Sequence, residues 1–160
     1  MNLWGYGRSK DIPSTLLNML KGIDPVLSGE LLKVLDEMGH GDQLLLVDRN
    51  YPAAASGKQV IRLGEVTVVR AATAILSVFP LDSFVPHPLE RMEVENDQTK
   101  TTLPQDKVLT IARKACSQSL EYGVIPRLDF YNRARAAYVV IHTLDDQPYG
   151  CFIFQKGLIL

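Results

Sequence analysis

The chain has 160 residues, 46% of them hydrophobic, which is enough to bury one sizeable core. Its formal net charge of −1 and its scattered basic residues exclude the cationic surface by which proteins bind nucleic acids or anionic membranes. No apolar run approaches the roughly 18 residues that a membrane span requires.

Residues 1–18 are polar and contain glycines, and they lack the apolar core of a signal peptide. We therefore expect an N-terminal appendage, a single domain over residues 19–160, and a cytoplasmic protein. The two cysteines, Cys116 and Cys151, are too few for a disulfide scaffold and are expected to be free thiols. No CxxC, HxxxH, GxGxxG or GxxxxGK[ST] motif is present, so we expect neither a metal nor a nucleotide cofactor.

The first predicted element is a helix. Ser28 can cap it, and apolar residues recur at helical spacing as far as Met38. Gly39 is expected to end this helix in the usual left-handed conformation. The unbroken apolar run at 44–47 then predicts a strand that is buried on both faces of a sheet.

The pattern continues with a second short strand at 60–63 and a second helix at 68–79, which Pro80 ends. Residues 86–104 are polar and interrupted by prolines, so they are predicted to form a loop. This middle part of the chain therefore contributes one strand and one helix to the predicted fold.

A third helix is predicted around 108–115, then a strand at 125–128 and a short helix capped by Asp129. Two apolar runs, 138–143 and 152–155, are separated by a turn-rich link and are predicted to pair as a hairpin. Helices that alternate with buried strands predict an α/β fold, a single three-layer domain with a central sheet flanked by helices.

Five segments occur in a fixed order across residues 19–158: ELLKVLDEMGHGDQLLLVDRNYPA, VIR, PLDSF, RLDFYNRARAAYVVIHT, and YG before an apolar strand and QKG. Together they resemble the fucose mutarotase and D-ribose pyranase family, and within it the fucose mutarotase branch. The specific feature is the combination of GHGD, an aspartate eight residues after its histidine, FYxRA and YG. Each of these pieces alone is a weak signal.

The resemblance implies an isomerase that interconverts the anomers of a free monosaccharide, L-fucose in this branch, without a cofactor. It also implies a ring-shaped homo-oligomer, a decamer, with active sites shared between neighbouring subunits. By motif, the catalytic positions it implies are His40, Asp82 and Tyr131. The substrate-binding positions that it implies are Asp48, Arg127, Tyr149, Gly150 and Cys151.

The sequence departs from the family pattern at two places. The family's YGN is YGC at residues 149–151, and its RADG is RLGE at residues 62–65. A thiol is a much weaker donor and acceptor than a side-chain amide. If that position acts through its backbone, little changes, whereas if it acts through its side chain, the resemblance no longer fixes the substrate preference.

These residue types suit mutarotation, which needs a base for the proton of the anomeric hydroxyl and an acid for the ring oxygen. Histidine has an ordinary pKa of about 6.5 and can do both near neutrality, whereas tyrosine, at about 10, would be the neutral donor. Carboxylates such as Asp48 can accept two hydroxyl hydrogens. His40 lies eight residues before Asp48, up to roughly 26–29 Å away in an extended chain. One sugar can reach both only if the loop folds back or a neighbouring subunit supplies one of them.

Two other functions remain open from the sequence: ribose pyranase activity, or a sugar-binding protein that has lost catalysis, which the YGC departure motivates. Without the resemblance, His40 is a cation at a helix C-terminus and Asp48 a turn residue. His142 inside a strand is most simply a hydrogen-bonded packing residue. The resemblance favours the catalytic interpretation of His40 and the binding interpretation of Asp48.

Overall fold

The computed structural model describes residues 20–116 and 119–159. The predicted appendage at 1–18 lies outside the described residues. The helices are α1 (Gly29–Glu37), α2 (Val68–Leu76), α3 (Leu103–Ala115) and α4 (Arg127–Ala134), with a short 3-10 helix at Ala53–Ser56. The strands are β1 (Gln43–Val47), β2 (Gln59–Arg62), β3 (Leu89–Met92), β4 (Gly123–Ile125), β5 (Val139–His142) and β6 (Phe152–Gln155).

The six strands form one mixed sheet in the order β2-β5-β1-β6-β3-β4. β5 pairs in parallel with β1 and β2, and β4 in parallel with β3. Only β6 is antiparallel to its neighbours, β1 and β3. Five strands therefore point the same way, and their carboxyl ends meet at one edge of the sheet.

The core lies on both sides of β1, whose five residues are all buried. Leu44 and Leu46 pack on one face against α1, α2 and α3. Leu45 and Val47 pack on the other face against Phe130 of α4. This arrangement confirms the predicted α/β fold, with a central sheet between two helical layers. Among the described residues, no helix is long and apolar enough to cross a bilayer.

The first helix begins as predicted but ends differently. The Ser28 side chain accepts a hydrogen bond from the Leu31 amide, the interaction expected of an N-cap. Met38 is already extended, and Gly39 does not have a positive φ, so the predicted left-handed glycine end is wrong. The Gly39 amide instead donates to the Asp42 carboxylate, which fixes the loop that carries His40.

The prediction of a loop over 86–104 is wrong, because this segment contains β3 inside the sheet. The sequence of β3, LERM, lacks the apolar pattern of a buried strand because two of its four residues are charged. Arg91 is nevertheless buried, and its guanidinium donates to the carbonyls of Met92 and Gln98. These backbone acceptors offset the cost of burying NH1 and NH2, although the buried Nε atom has no hydrogen-bond partner, so a charged residue occupies a position that the sequence pattern assigns to an apolar one.

Three predictions in the C-terminal third are also wrong. β5 and β6 do not form a hairpin, because they pair with opposite edges of β1. The strand predicted at 125–128 ends at Ile125, and α4 begins at Arg127 directly after Pro126. Asp129 therefore lies in the first turn of α4 and does not cap it. The fixed φ of proline suits the start of a helix, and this signal outweighs the apolar run.

A substitution at Gly157 tests how closely the chain after β6 packs on the segment that carries Asp82. A Cβ at Gly157 would lie 2.5 Å from the Leu81 carbonyl oxygen and 2.8 Å from the Asp82 Cα. We expect Gly157→Ala to lower the free energy of unfolding by about 1–3 kcal/mol, because backbone atoms cannot move aside as a side chain can.

Urea denaturation at fixed protein concentration measures this change. Gly29→Ala is the matched control, since a Cβ there meets nothing within 4 Å. The control is expected to leave the stability unchanged or to raise it slightly. Equal stability of the two variants would contradict the tight packing at Gly157.

Candidate active site

An imidazole and a carboxylate meet before the start of β1. The His40 Nε2 atom lies 3.0 Å from Asp82 Oδ2, and the His40 side chain is 41% exposed while that of Asp82 is 3% exposed. The Phe84 ring stands edge-on to the imidazole, with 5.8 Å between the ring centroids. A buried acceptor thus holds one ring nitrogen while the rest of the ring reaches solvent.

Gln155, at the end of β6, holds Asp82 in position. The Asp82 backbone amide donates to the Gln155 carbonyl, and the Gln155 side chain donates to Asp82 Oδ2 at 3.0 Å. The Phe84 amide donates to Oδ1 at 2.9 Å. Burial raises the pKa of the Asp82 carboxyl. The hydrogen bonds from Phe84, Gln155 and His40 outweigh that effect and hold this pKa below its ordinary value.

A cleft of about 440 Å³ opens beside His40. Its walls are mainly apolar, with Leu32, Met38 and Val78 among the lining residues, and Asp36 and Lys156 contribute charge. Apolar clefts with a few polar groups are the usual form of small-ligand sites. The His40 ring therefore lies where a ligand can reach it.

A second buried carboxylate, Asp48, lies directly after β1. Asp48 Oδ1 accepts a hydrogen bond from the Asn50 amide, and Oδ2 accepts one from the Gly150 amide, each at 2.9 Å. Cys151 Sγ lies 3.8 Å from the same Oδ2 atom. Burial raises the pKa of Asp48 above its ordinary value, although these hydrogen bonds oppose the shift. Asp48 therefore organises the turn at residues 149–151 around itself.

The Cys151 side chain contacts Asp48 inside the protein and is only 3% exposed. Burial raises the pKa of its thiol well above the ordinary value, so the thiol is a neutral donor to the carboxylate. The departure from YGN to YGC thus changes a partner of Asp48.

Gln105 is a residue that the sequence analysis missed. Its side chain is fully buried, and its amide nitrogen donates to the carbonyls of Met92 and Tyr149, each at 3.0 Å. Tyr149 has a φ of 62°, a left-handed conformation that is rare for tyrosine. Gln105 fixes this backbone from α3. The available signal was the capping box that Gln105 forms with Thr102, which predicts the helix start but not the distant contact.

The two α4 residues of the predicted site lie at the same edge of the sheet, Tyr131 beside Tyr51 after β1 and Arg127 beside Glu93 after β3. Tyr131 stacks on Tyr51, with 5.7 Å between ring centroids and 17° between ring planes. Burial raises the pKa of Tyr51 to about 12, with smaller effects from Cys151 and Tyr131. The Arg127 amide donates to Glu93 Oε1 at 2.7 Å, and its side chain is exposed.

The structure therefore separates the predicted site residues into two groups. His40 and Asp82 lie before β1. Five of the others lie around its carboxyl end, namely Asp48, Tyr131, Tyr149, Gly150 and Cys151. Arg127 lies at the same edge of the sheet, beside Glu93 after β3. The five residues of β1 between them span roughly 16 Å.

His142, at the carboxyl end of β5, accepts a hydrogen bond from Arg62, in agreement with the predicted packing role. Within residues 20–116 and 119–159, no group of three or more His, Cys, Asp or Glu side chains is placed to hold a metal ion.

Comparison with known proteins identifies the family. The model of the RbsD/FucU transport protein family matches residues 21–159. The chain belongs to this family. It is 37% identical to an L-fucose mutarotase of Actinobacillus pleuropneumoniae over 140 residues, which cover 88% of this chain and 97% of that protein. The family predicted from the sequence motifs is confirmed.

Solved structures of the RbsD/FucU family agree with the fold. FucU from Bifidobacterium longum is 37% identical with a TM-score of 0.82, covering 88% of this chain and 100% of that one. A fucose mutarotase from Streptococcus pneumoniae solved with L-fucose is 31% identical with a TM-score of 0.79, over the same shares. RbsD from Bacillus subtilis solved with D-ribose is 17% identical with a TM-score of 0.68, covering 84% and 95%, and shows the fold alone.

Replacing Gln105 by leucine tests its role at Tyr149. The substitution leaves two inward-facing carbonyls without their donor, so we expect the free energy of unfolding to fall by about 1–3 kcal/mol. Urea denaturation measures this loss. Gln147→Leu is the control, because the amide of that exposed side chain donates to Asp146, which is also exposed. A Gln105→Leu variant as stable as this control would contradict the assignment.

Proposed function

We propose that this protein is an L-fucose mutarotase, an isomerase that interconverts the α and β anomers of the free sugar. The His40–Asp82 hydrogen bond beside an open cleft carries the proposal, because mutarotation needs one acid–base group that can both take and return a proton. Identity of 31% to a fucose mutarotase solved with L-fucose, against 17% to a D-ribose complex, favours fucose over ribose.

The reaction needs no covalent intermediate. His40 takes the proton of the anomeric hydroxyl, and the Tyr131 phenol gives a proton to the ring oxygen as the C1–O5 bond breaks. Rotation about the C1–C2 bond of the open aldehyde presents its other face. Reclosure returns both protons and gives the other anomer. A positioned acid–base pair contributes typically about 10² to 10⁴-fold, which is useful for a reaction that already occurs in water.

The two reacting groups of this proposal lie at opposite ends of β1 in one chain. We therefore propose that the site is completed between subunits of a ring-shaped homo-oligomer, a decamer. His40 and Asp82 would come from one subunit, and the Asp48, Arg127 and Tyr131 end from its neighbour. Exposed apolar side chains around His40 support an interface at this place. Phe84 is 66% exposed, Leu158 is 47% exposed and Ile159 is 88% exposed. Such a patch is typical of a protein–protein contact.

Within this arrangement, Asp48 and the turn at 149–151 would form the wall that binds the sugar hydroxyls, with the exposed Arg127 guanidinium as a further donor. We place the protein in the cytoplasm, which agrees with the free thiols of Cys116 and Cys151.

Exchange NMR on equilibrated L-fucose tests the activity. We expect the wild-type protein to accelerate anomer exchange and His40→Gln to lower that acceleration by about 10²-fold or more. His87→Gln, a change in an exposed loop histidine, is the matched control and should match wild type. Absence of wild-type acceleration across a panel of aldoses that includes D-ribose would refute catalysis. Sugar affinity that persists without exchange would identify a binding protein.

Mixing two inactive variants tests whether the site is shared. His40→Gln and Tyr131→Phe subunits, co-assembled in equal amounts, should recover activity in about a quarter of the sites, because each heterologous interface then draws one residue from each neighbour. The separate homo-oligomers are the controls. If co-assembly recovers no activity, the two residues do not act together across an interface.

A further inference from the structure

A chain of side-chain hydrogen bonds leads from α4 to the candidate base. Arg133 NH1 donates to Gln43 Oε1 at 2.6 Å, and Gln43 Nε2 donates to Gln155 Oε1 at 3.3 Å. Gln155 Nε2 then donates to Asp82 Oδ2 at 3.0 Å, and this oxygen faces His40. Three elements of the fold, α4, β1 and β6, thus meet in one connected network that ends at Asp82. We call its three members, Arg133, Gln43 and Gln155, the amide relay.

The direction of the amide relay is forced by its first member. A guanidinium has donors only, so Gln43 must turn its carbonyl oxygen towards Arg133. The amide nitrogen of Gln43 then faces the oxygen of Gln155, and the nitrogen of Gln155 faces Asp82. Gln43 and Gln155 are direct partners in the β1–β6 register, which fixes the contact between them. All the dipoles therefore point from a cation to a carboxylate, and aligned hydrogen bonds strengthen one another.

The arrangement also fixes the ring of His40. Asp82 receives the Gln155 amide and the Phe84 amide, and both interactions require it to act as an acceptor. An accepting carboxylate at 3.0 Å requires the proton of a neutral His40 to lie on Nε2. The lone pair is then on Nδ1, the nitrogen turned away from Asp82.

We propose that Arg133, Gln43 and Gln155 are positioning residues that hold Asp82 as an acceptor and His40 in its Nε2–H tautomer, with Nδ1 as the base. The inference rests on the proposed function for its catalytic consequence. The tautomer itself is a property of the protein without substrate.

The surroundings of the amide relay support this role. Glu90 Oε2 lies 3.0 Å from Arg133 NH2, and its side chain is 21% exposed, so the guanidinium is held from a second side. Gln43 is buried and Gln155 is partly buried, which limits competition from water. The other charged groups at the cleft are Asp36 and Lys156. The Lys156 ammonium donates hydrogen bonds to the carbonyls of Leu35 and Met38.

The test measures the ¹⁵N shifts of the His40 ring nitrogens at about pH 8, where an ordinary histidine is neutral. His87→Gln and His142→Gln variants assign the three histidines. In wild-type protein we expect Nε2 protonated and Nδ1 unprotonated. Gln155→Leu and Arg133→Met should shift the two nitrogens towards a mixture of tautomers, and Arg133→Lys should restore much of the wild-type pattern.

The second readout is exchange NMR on L-fucose. Gln155→Leu loses a hydrogen bond to the Asp82 carboxylate and should lower the exchange rate at saturating sugar about tenfold. Arg133→Met should lower this rate about threefold. Neither variant should change the affinity for the sugar. Arg113→Met is the matched control, because Arg113 also pairs with a carboxylate, Glu121, outside the amide relay. This variant should match wild type in both readouts.

Three results would overturn the proposal. The first is a wild-type His40 with its proton on Nδ1, and the second is ring-nitrogen shifts in Gln155→Leu and Arg133→Met identical to wild type. The third is a changed tautomer with an unchanged exchange rate in an active protein. If the wild-type protein shows no exchange activity, the proposed function fails, while the NMR pattern still decides whether the amide relay sets the tautomer.

Discussion

Strand β1 is buried along its whole length, so the candidate site residues that it positions lie beyond its two ends. His40 arrives from the loop after α1, and Asp48 leaves at the opposite end of the sheet. Because β6 runs antiparallel to β1, its last residue, Gln155, meets the His40 end, and the turn before it meets Asp48. One strand therefore positions both groups of candidate site residues.

The two buried aspartates have similar exposure but different electrostatic environments. Asp82 has strong donors, including an imidazole, and its pKa lies below the ordinary value although burial opposes this. Asp48 has two backbone amides and a thiol, and burial raises its pKa. This difference suits different roles. Asp82 can stabilise positive charge on His40, whereas Asp48 holds the turn at residues 149–151 with which it would bind sugar hydroxyls.

Helix α4 links the two ends of the sheet. Its first turn lies beside Glu93 at the carboxyl end of β3, and Arg133 near its last turn reaches Gln43 at the start of β1. The helix that carries the candidate acid, Tyr131, thus also begins the amide relay towards the candidate base. In a ring-shaped assembly of the proposed kind, each copy of α4 would serve two sites: Tyr131 would act in one, and Arg133 would position the base of the other.

The sequence by itself determined the family, the α/β class and β1, because these depend on local patterns and contiguous motifs, and it named His40 and Asp82 as candidate site residues. It missed β3, where backbone carbonyls accept from the buried Arg91, and it paired β5 with β6 although both pair with the buried β1. Tertiary structure alone decided that Gln43 faces Gln155, that Gln105 holds Tyr149, and that Cys151 contacts Asp48. These contacts join residues 44 to 112 positions apart, and no local pattern encodes them. Hydrogen-bond partners of buried polar groups are chosen when the elements pack, since only then does the loss of water make each unsatisfied group unfavourable.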